Sequence, residues 1–294
     1  MVLPKFEYLT AATIEEASNL QVELGAGAKI MAGGTDIIPP MRDKVLKCDY
    51  IIDIKRIPGL DAITYDEREG LRIGALTKLY DIQTSALVKE KNPAVAQAAK
   101  YVASTQIRHK GTMAGNICNA SPSADTPPIL IAMDAKIAVH GHDGGTREIP
   151  AREFFRGVKK NALEPGDIVT AIVIPPLAAD EHAAYIKHSV RKAMDLAIVG
   201  VAAWIKLDGN KCVDARIALG AVAVTPVRAP HAEKALIGQE ITDELLEKAG
   251  LAAMEDCRPI SDVRASAEYR HDMIRVFTKR AVKKAMEGYK EDEI

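Results

Sequence analysis

The sequence lacks the residue patterns that mark several whole classes of protein. Its four cysteines, Cys48, Cys118, Cys212 and Cys257, are too scattered for a Cys-x-x-Cys pair or any recognisable metal spacing. No iron–sulfur cluster or other metal site is therefore expected in the chain, and the thiols other than Cys118 are expected to be small buried hydrophobes. No segment approaches the roughly 18 apolar residues of a membrane span. The opening MVLPKFEYLTAATIEEASN has no basic stretch running into an apolar core, so a cytoplasmic location is expected. An excess of one charge is also missing: 39 Lys and Arg face 40 Asp and Glu, a net charge of -1. Such a balance gives no general attraction to nucleic acid or anionic lipid, so any anion site must be local.

The composition, 48% hydrophobic and 27% charged over 294 residues, is that of an ordinary globular protein with room for two domains. Residues 6–8 read as a strand, followed by a helix that Thr13 caps with Glu15 and Glu16 in its first turn. A strand at 29–31, a turn at 32–36, a helical turn at 37–44 and a strand at 51–54 complete an α/β alternation. Residues 62–65 and 71–73 form a hairpin around a polar turn, and helices are predicted at 77–85 and 93–103. The stretch 104–128, rich in Gly, Ser, Asn, Thr and Pro, reads as a long ordered loop wrapped around a ligand. Strands at 136–140 and 167–174 follow.

Pro175-Pro176 marks the predicted domain boundary. Strands at 183–188, 197–206 and 211–218 then read as an antiparallel meander, with Asp208-Gly209 as a hairpin turn. Helices are predicted at 229–236, 242–253 and 266–288; the last turns Met273, Val276, Phe277, Ala281 and Ala285 to one face, which makes it a packing helix.

Two segments carry candidate chemistry. Lys29-Ile30-Met31-Ala32-Gly33-Gly34-Thr35-Asp36 is a strand entering a tight turn, whose successive N–H groups form a nest for a phosphate. It matches neither the Rossmann nor the P-loop fingerprint. The second runs Gln106-Ile107-Arg108, then Gly111-Thr112-Met113-Ala114-Gly115-Asn116, Cys118 and Ala120-Ser121-Pro122-Ser123-Ala124-Asp125, short donors suited to a long polar ligand. On its own Asp125 reads equally well as a helix cap. His109 and His188 have no partner at metal spacing, and Arg191 and Asp195 either pair or border the site.

Taken together, Ala-Gly-Gly-Thr-Asp, Gln-Ile-Arg-x-x-Gly-Thr-x-x-Gly-Asn and Ala-Ser-Pro-x-x-Asp resemble the FAD-binding subunits of the xanthine dehydrogenase and carbon monoxide dehydrogenase family. The resemblance continues through Tyr185-x-Lys187-x-x-x-Arg191-x-x-x-Asp195-x-Ala197 and Arg264-Ala265-Ser266-Ala267-Glu268-Tyr269-Arg270. It implies an α+β chain: a two-part FAD domain of the vanillyl-alcohol-oxidase type over 1–177, with parts at about 1–58 and 59–177, and a smaller α+β domain over 178–294. It implies FAD as cofactor, with its diphosphate between residues 29–36 and Gly111, Thr112, Ala114, Gly115 and Asn116. It also puts Ala103, Ala124 and Val169 against the cofactor, Cys118 in backbone contact, Asp125 on the adenosine ribose and Lys187 near the isoalloxazine. Ala114 stands where the family usually has glycine, so the backbone there must avoid a conformation needing positive φ or leave room for a methyl group.

The function so implied is a redox relay in a molybdenum hydroxylase. Iron–sulfur clusters of a small subunit would pass electrons from a molybdopterin-binding large subunit to FAD here, and NAD, a quinone, ferredoxin or dioxygen would take them. No side chain need act as an acid, base or nucleophile. The alternatives are a self-contained flavin oxidoreductase of the same fold and a cofactor-less assembly subunit.

Overall fold

The computed structural model describes residues 3–290. Strand β1 (Glu7–Thr10), helix α1 (Ile14–Leu24), β2 (Ala28–Met31), α2 (Ile38–Arg42) and β3 (Tyr50–Asp53) form the first unit. Thr13 caps α1 by accepting from the Glu16 N–H at 3.1 Å, and the Glu16 carboxylate returns to the Ala12 N–H at 2.7 Å. Both strand pairings are parallel, in the order β1-β3-β2, so Thr10, Asp53 and Met31 end at one edge. The turn at 32–36 leaves from this carboxyl edge, where open α/β sheets hold ligands.

The second unit is an antiparallel sheet in the order β4-β5-β10-β6-β7, from β4 (Ile63–Asp66), β5 (Gly70–Gly74), β6 (Lys136–His140), β7 (Thr146–Pro150) and β10 (Ile168–Ile174). The expected hairpin is β4 and β5. Helices α3 (Leu79–Thr84), α4 (Ala86–Lys91) and α5 (Pro93–Tyr101) follow it, and α9 (Ala151–Phe154) with the small ribbon β8 (Phe155–Gly157) and β9 (Lys160–Asn161) lies between β7 and β10. The loop expected at 104–128 is a correction: it is broken by α6 (Thr105–Arg108) and α7 (Met113–Cys118), and α8 (Thr126–Ala132) begins before its end. Ser104 and Thr112 start the first two as side-chain caps. Helices this short carry less than two turns of apolar periodicity, so composition alone pointed to a loop.

The third unit is the antiparallel sheet β11 (Glu181–His188), β12 (Val199–Asp208), β13 (Lys211–Gly220) and β14 (Val227–Arg228), with α10 (Pro230–Leu236), α11 (Asp243–Ala253) and α12 (Ala267–Glu287). Alternation along the strands serves two cores. Ala183, Tyr185, Ala202, Trp204 and Ala218 face the core shared with α5 and α8, whereas Ala184, Val201, Ala203, Ile217 and Leu219 face the C-terminal helices. Phe277, Ala281 and Ala285 of α12 are buried there, with Met273 and Val276 partly so, as the helical spacing predicted. The units before and after Pro175-Pro176 thus share a packed layer, and Lys187, on β11, is carried into it. No described helix is long and apolar enough to cross a membrane.

Candidate functional site

The two motif segments, some 75 residues apart in sequence, meet backbone to backbone. A Cβ placed on Gly33 would overlap the Lys110 carbonyl, 2.7 Å from its carbon and 2.8 Å from the Gly111 Cα. Gly111 in turn lies against the Thr35 hydroxyl, and its carbonyl accepts from the Leu79 N–H at 2.9 Å. Gly34 has φ +73, and its carbonyl accepts from the N–H groups of Ile37 at 3.1 Å and Ile38 at 2.9 Å. That turn leaves the N–H groups of Gly33, Gly34, Thr35 and Asp36 with no acceptor among the described residues. Consecutive amides left open in this way form an anion nest. Lys29, Ile30, Met31 and Ala32 place the nest at the sheet edge: Met31 is buried, and Ile30 and Ala32 pack on the first unit's core. Asp36 is exposed, yet crowding by protein raises its carboxyl pKa, opposed by Lys159.

Just after the Lys110–Gly111 contact the chain enters α7. The Thr112 hydroxyl is buried and accepts from the Gly115 N–H at 2.9 Å. Ala114 is buried within the helix and is not among the residues with positive φ, so the methyl that departs from the family pattern is accommodated in the core. Asn116 accepts from the Thr126 hydroxyl at 2.6 Å through Oδ1. The Cys118 carbonyl accepts from Asn161 Nδ2 at 2.8 Å, and burial pushes its thiol up to about 12, so the sulfur stays protonated. Thr112→Ala removes the cap and is expected to lower stability by about 1 kcal/mol in urea denaturation.

A second cluster lies where β11 meets α5 and α8. Lys187 Nζ donates to Asp125 Oδ2 at 2.9 Å, to the Tyr101 carbonyl at 3.1 Å and to the Asp195 carbonyl at 2.7 Å. The Tyr185 hydroxyl donates to Asp125 Oδ1 at 3.0 Å. The two charged side chains are only 5% and 7% exposed, so a strand lysine free in solvent is ruled out. Burial raises the Asp125 pKa to about 6, with Lys187 and Tyr185 pulling it down. Asp125 stands at the N-cap of α8 but its side chain does not cap the helix.

This pairing sets two of the expected roles side by side. Asp125 on the adenosine ribose and Lys187 beside the isoalloxazine would stand at opposite ends of FAD, across the diphosphate, yet the two share a hydrogen bond. Both carboxylate oxygens already have protein donors, and Ala103, the other residue expected at the ring, lies two residues beyond the Tyr101 carbonyl that Lys187 holds. Ala124 is buried beside Asp125, and Val169 is buried in β10 at the bulge of its pairing with β6. Arg191 and Asp195 do pair, on the loop after β11, at 3.7 Å. His109 stacks on Tyr80, and His188 on Phe277, and no group of His, Cys, Asp and Glu among the described residues is arranged for a metal. The sequence left the roles of Tyr185 and the Tyr101 carbonyl unassigned; only the alternation that turns Tyr185 and Lys187 to the same side of β11 hinted at them.

Open amides, a close backbone approach at glycine and a buried cation fit a diphosphate with an aromatic ring system attached. Comparison with known proteins agrees. The model of the FAD binding domain in molybdopterin dehydrogenase matches residues 4–177, and that of the CO dehydrogenase flavoprotein C-terminal domain matches 184–285. The glyceraldehyde dehydrogenase medium chain of Sulfolobus acidocaldarius is 35% identical over 96% of this chain and 99% of its own. The putative xanthine dehydrogenase FAD-binding subunit of Escherichia coli is 34% identical over 95% of each. In structure, carbon monoxide dehydrogenase from Hydrogenophaga pseudoflava matches with a TM-score of 0.94 at 36% identity, over 98% of this chain and 99% of that one.

Proposed function

The chain belongs to the FAD-binding subunits of the molybdenum hydroxylase family, and on that premise we propose that it relays electrons from partner iron–sulfur clusters through FAD to an external acceptor. The observation that carries this reading is the row of open amides from Gly33 to Asp36, in a turn packed against Lys110 and Gly111 just before α7. The nest amides hold the diphosphate, and Thr112 keeps α7 and Asn116 in place against it. Lys187 and Ala103 face the ring, with Asp125 fixing Lys187 and leaving the ribose to other groups. FAD bound there supplies the means to gather electrons singly and release them in pairs.

The partners in this reading are an iron–sulfur small subunit and a molybdopterin-binding large subunit, with NAD, a quinone, ferredoxin or dioxygen as acceptor. Purification from the native host tests it. A yellow chain that co-elutes with both subunits, and whose colour bleaches when the complex receives substrate, supports the relay. A colourless chain after expression with FAD, or a yellow one that turns over alone, overturns it.

A further inference from the structure

We infer that Arg108 is a positioning residue of the ring end of this site, holding the turn at Val102 and Ala103 in the shape against which the flavin rests. The inference relies on the reading of the site as an FAD site. Helix α5 ends at Tyr101, where the last carbonyls of a helix lack partners within it. Here three consecutive carbonyls are taken by two cations. Lys187 donates to Tyr101 at 3.1 Å, and Arg108 Nη1 donates to Val102 at 2.9 Å and to Ala103 at 3.4 Å.

Ala103 has φ +47, a left-handed conformation that an L residue adopts only when its surroundings impose it. Its carbonyl also accepts from the Met194 N–H, at 3.4 Å. Arg108 in turn has no carboxylate partner among the described residues. Its remaining donation, from Nη2, goes to the Thr105 hydroxyl at 3.1 Å, and its Nε is buried without a partner. A half-buried guanidinium spent on chain oxygens, with no acid to neutralise it, acts on the shape of the chain. The planar fork suits it to span two neighbouring carbonyls, which a lysine ammonium does as a single point.

The test uses the full chain, freed of flavin and titrated with FAD, with fluorescence quenching for affinity and visible circular dichroism for the seat of the ring. R108A should bind FAD about tenfold more weakly, the equivalent of losing the left-handed conformation, with an altered visible spectrum. R108K should recover only part of the loss and serves if R108A does not fold. Glycine takes positive φ unaided, so in an A103G background the R108A loss should shrink to about threefold or less. An unchanged affinity and spectrum in R108A, or a loss undiminished by A103G, overturns the inference. Wild-type chain that binds no FAD instead overturns the cofactor reading beneath it.

Discussion

Replacing Gly33 with valine is expected to give a colourless chain whose C-terminal unit remains folded. The site has no space for even a methyl group, since a Cβ at Gly33 would run into the Lys110 carbonyl and lie 2.8 Å from the Gly111 Cα. These are backbone atoms, so no rotamer change relieves the clash; either the turn at 32–36 or the segment before α7 must move. Overpacking of this kind costs about 1–3 kcal/mol in stability. The effect on FAD is larger, because the displaced turn is the one that aims the four open amides, and loss of their common focus should weaken binding by more than about 100-fold. The core between β11–β14 and α10–α12 has none of its residues in this region, so far-ultraviolet circular dichroism should change little. Gly157→Ala is the control, for its φ is not positive and the nearest atom to its would-be Cβ is in the Lys160 side chain at 3.8 Å, so it should keep its flavin. The ratio of flavin to protein absorbance in the two purified variants decides the matter, and equal ratios would mean that the diphosphate lies elsewhere.

Much of this architecture was readable because the relevant signals are local. Thr13 caps α1 as its position before Glu15 and Glu16 announced, and the helices expected from Thr242 and Ser266 begin one residue later, with those two side chains as their caps. The Asp208-Gly209 turn joins β12 to β13, and Gly209 has φ +59 as that kind of hairpin requires. Strand β7 escaped notice for an equally physical reason: Thr146, Arg147 and Glu148 are all exposed on a sheet edge, where no apolar alternation is needed. The diphosphate nest could be proposed from Gly33-Gly34-Thr35 alone, since a nest is made by one continuous turn. The network around Lys187 could not. Tyr101, Asp125, Tyr185, Lys187 and Asp195 come from four separate parts of the chain, and only packing of β11 across α5 and α8 makes them one network. That is why a family pattern read residue by residue gave Asp125 and Lys187 separate roles and no sign that they pair.

The network's own stability gives the other large expected effect. Lys187→Met keeps an unbranched side chain one atom shorter and removes the charge, leaving the Asp125 carboxyl buried with the Tyr185 hydroxyl as its side-chain partner among the described residues. Breaking one half of a buried ion pair costs about 3–5 kcal/mol. The cost depends on pH in a direction fixed by Asp125. In the native chain burial raises its pKa to about 6 from 3.8, so the folded form binds more protons between those values and loses stability as pH rises through them. Above that window the Lys187 ammonium stabilises the charged carboxylate and the loss stops. Without Lys187 the main group holding that pKa down is gone, and the loss continues toward neutral and alkaline pH. The destabilisation by Lys187→Met should therefore be clearly larger at about pH 8 than at about pH 5 in urea denaturation. The double variant with Asp125→Asn should regain part of the lost stability and lose the pH dependence, because an amide does not titrate and no charge is left to bury. A Lys187→Met cost that is the same at both pH values would show that Asp125 does not depend on Lys187 for its charge, and with that the coupling assigned to the ring end would fail.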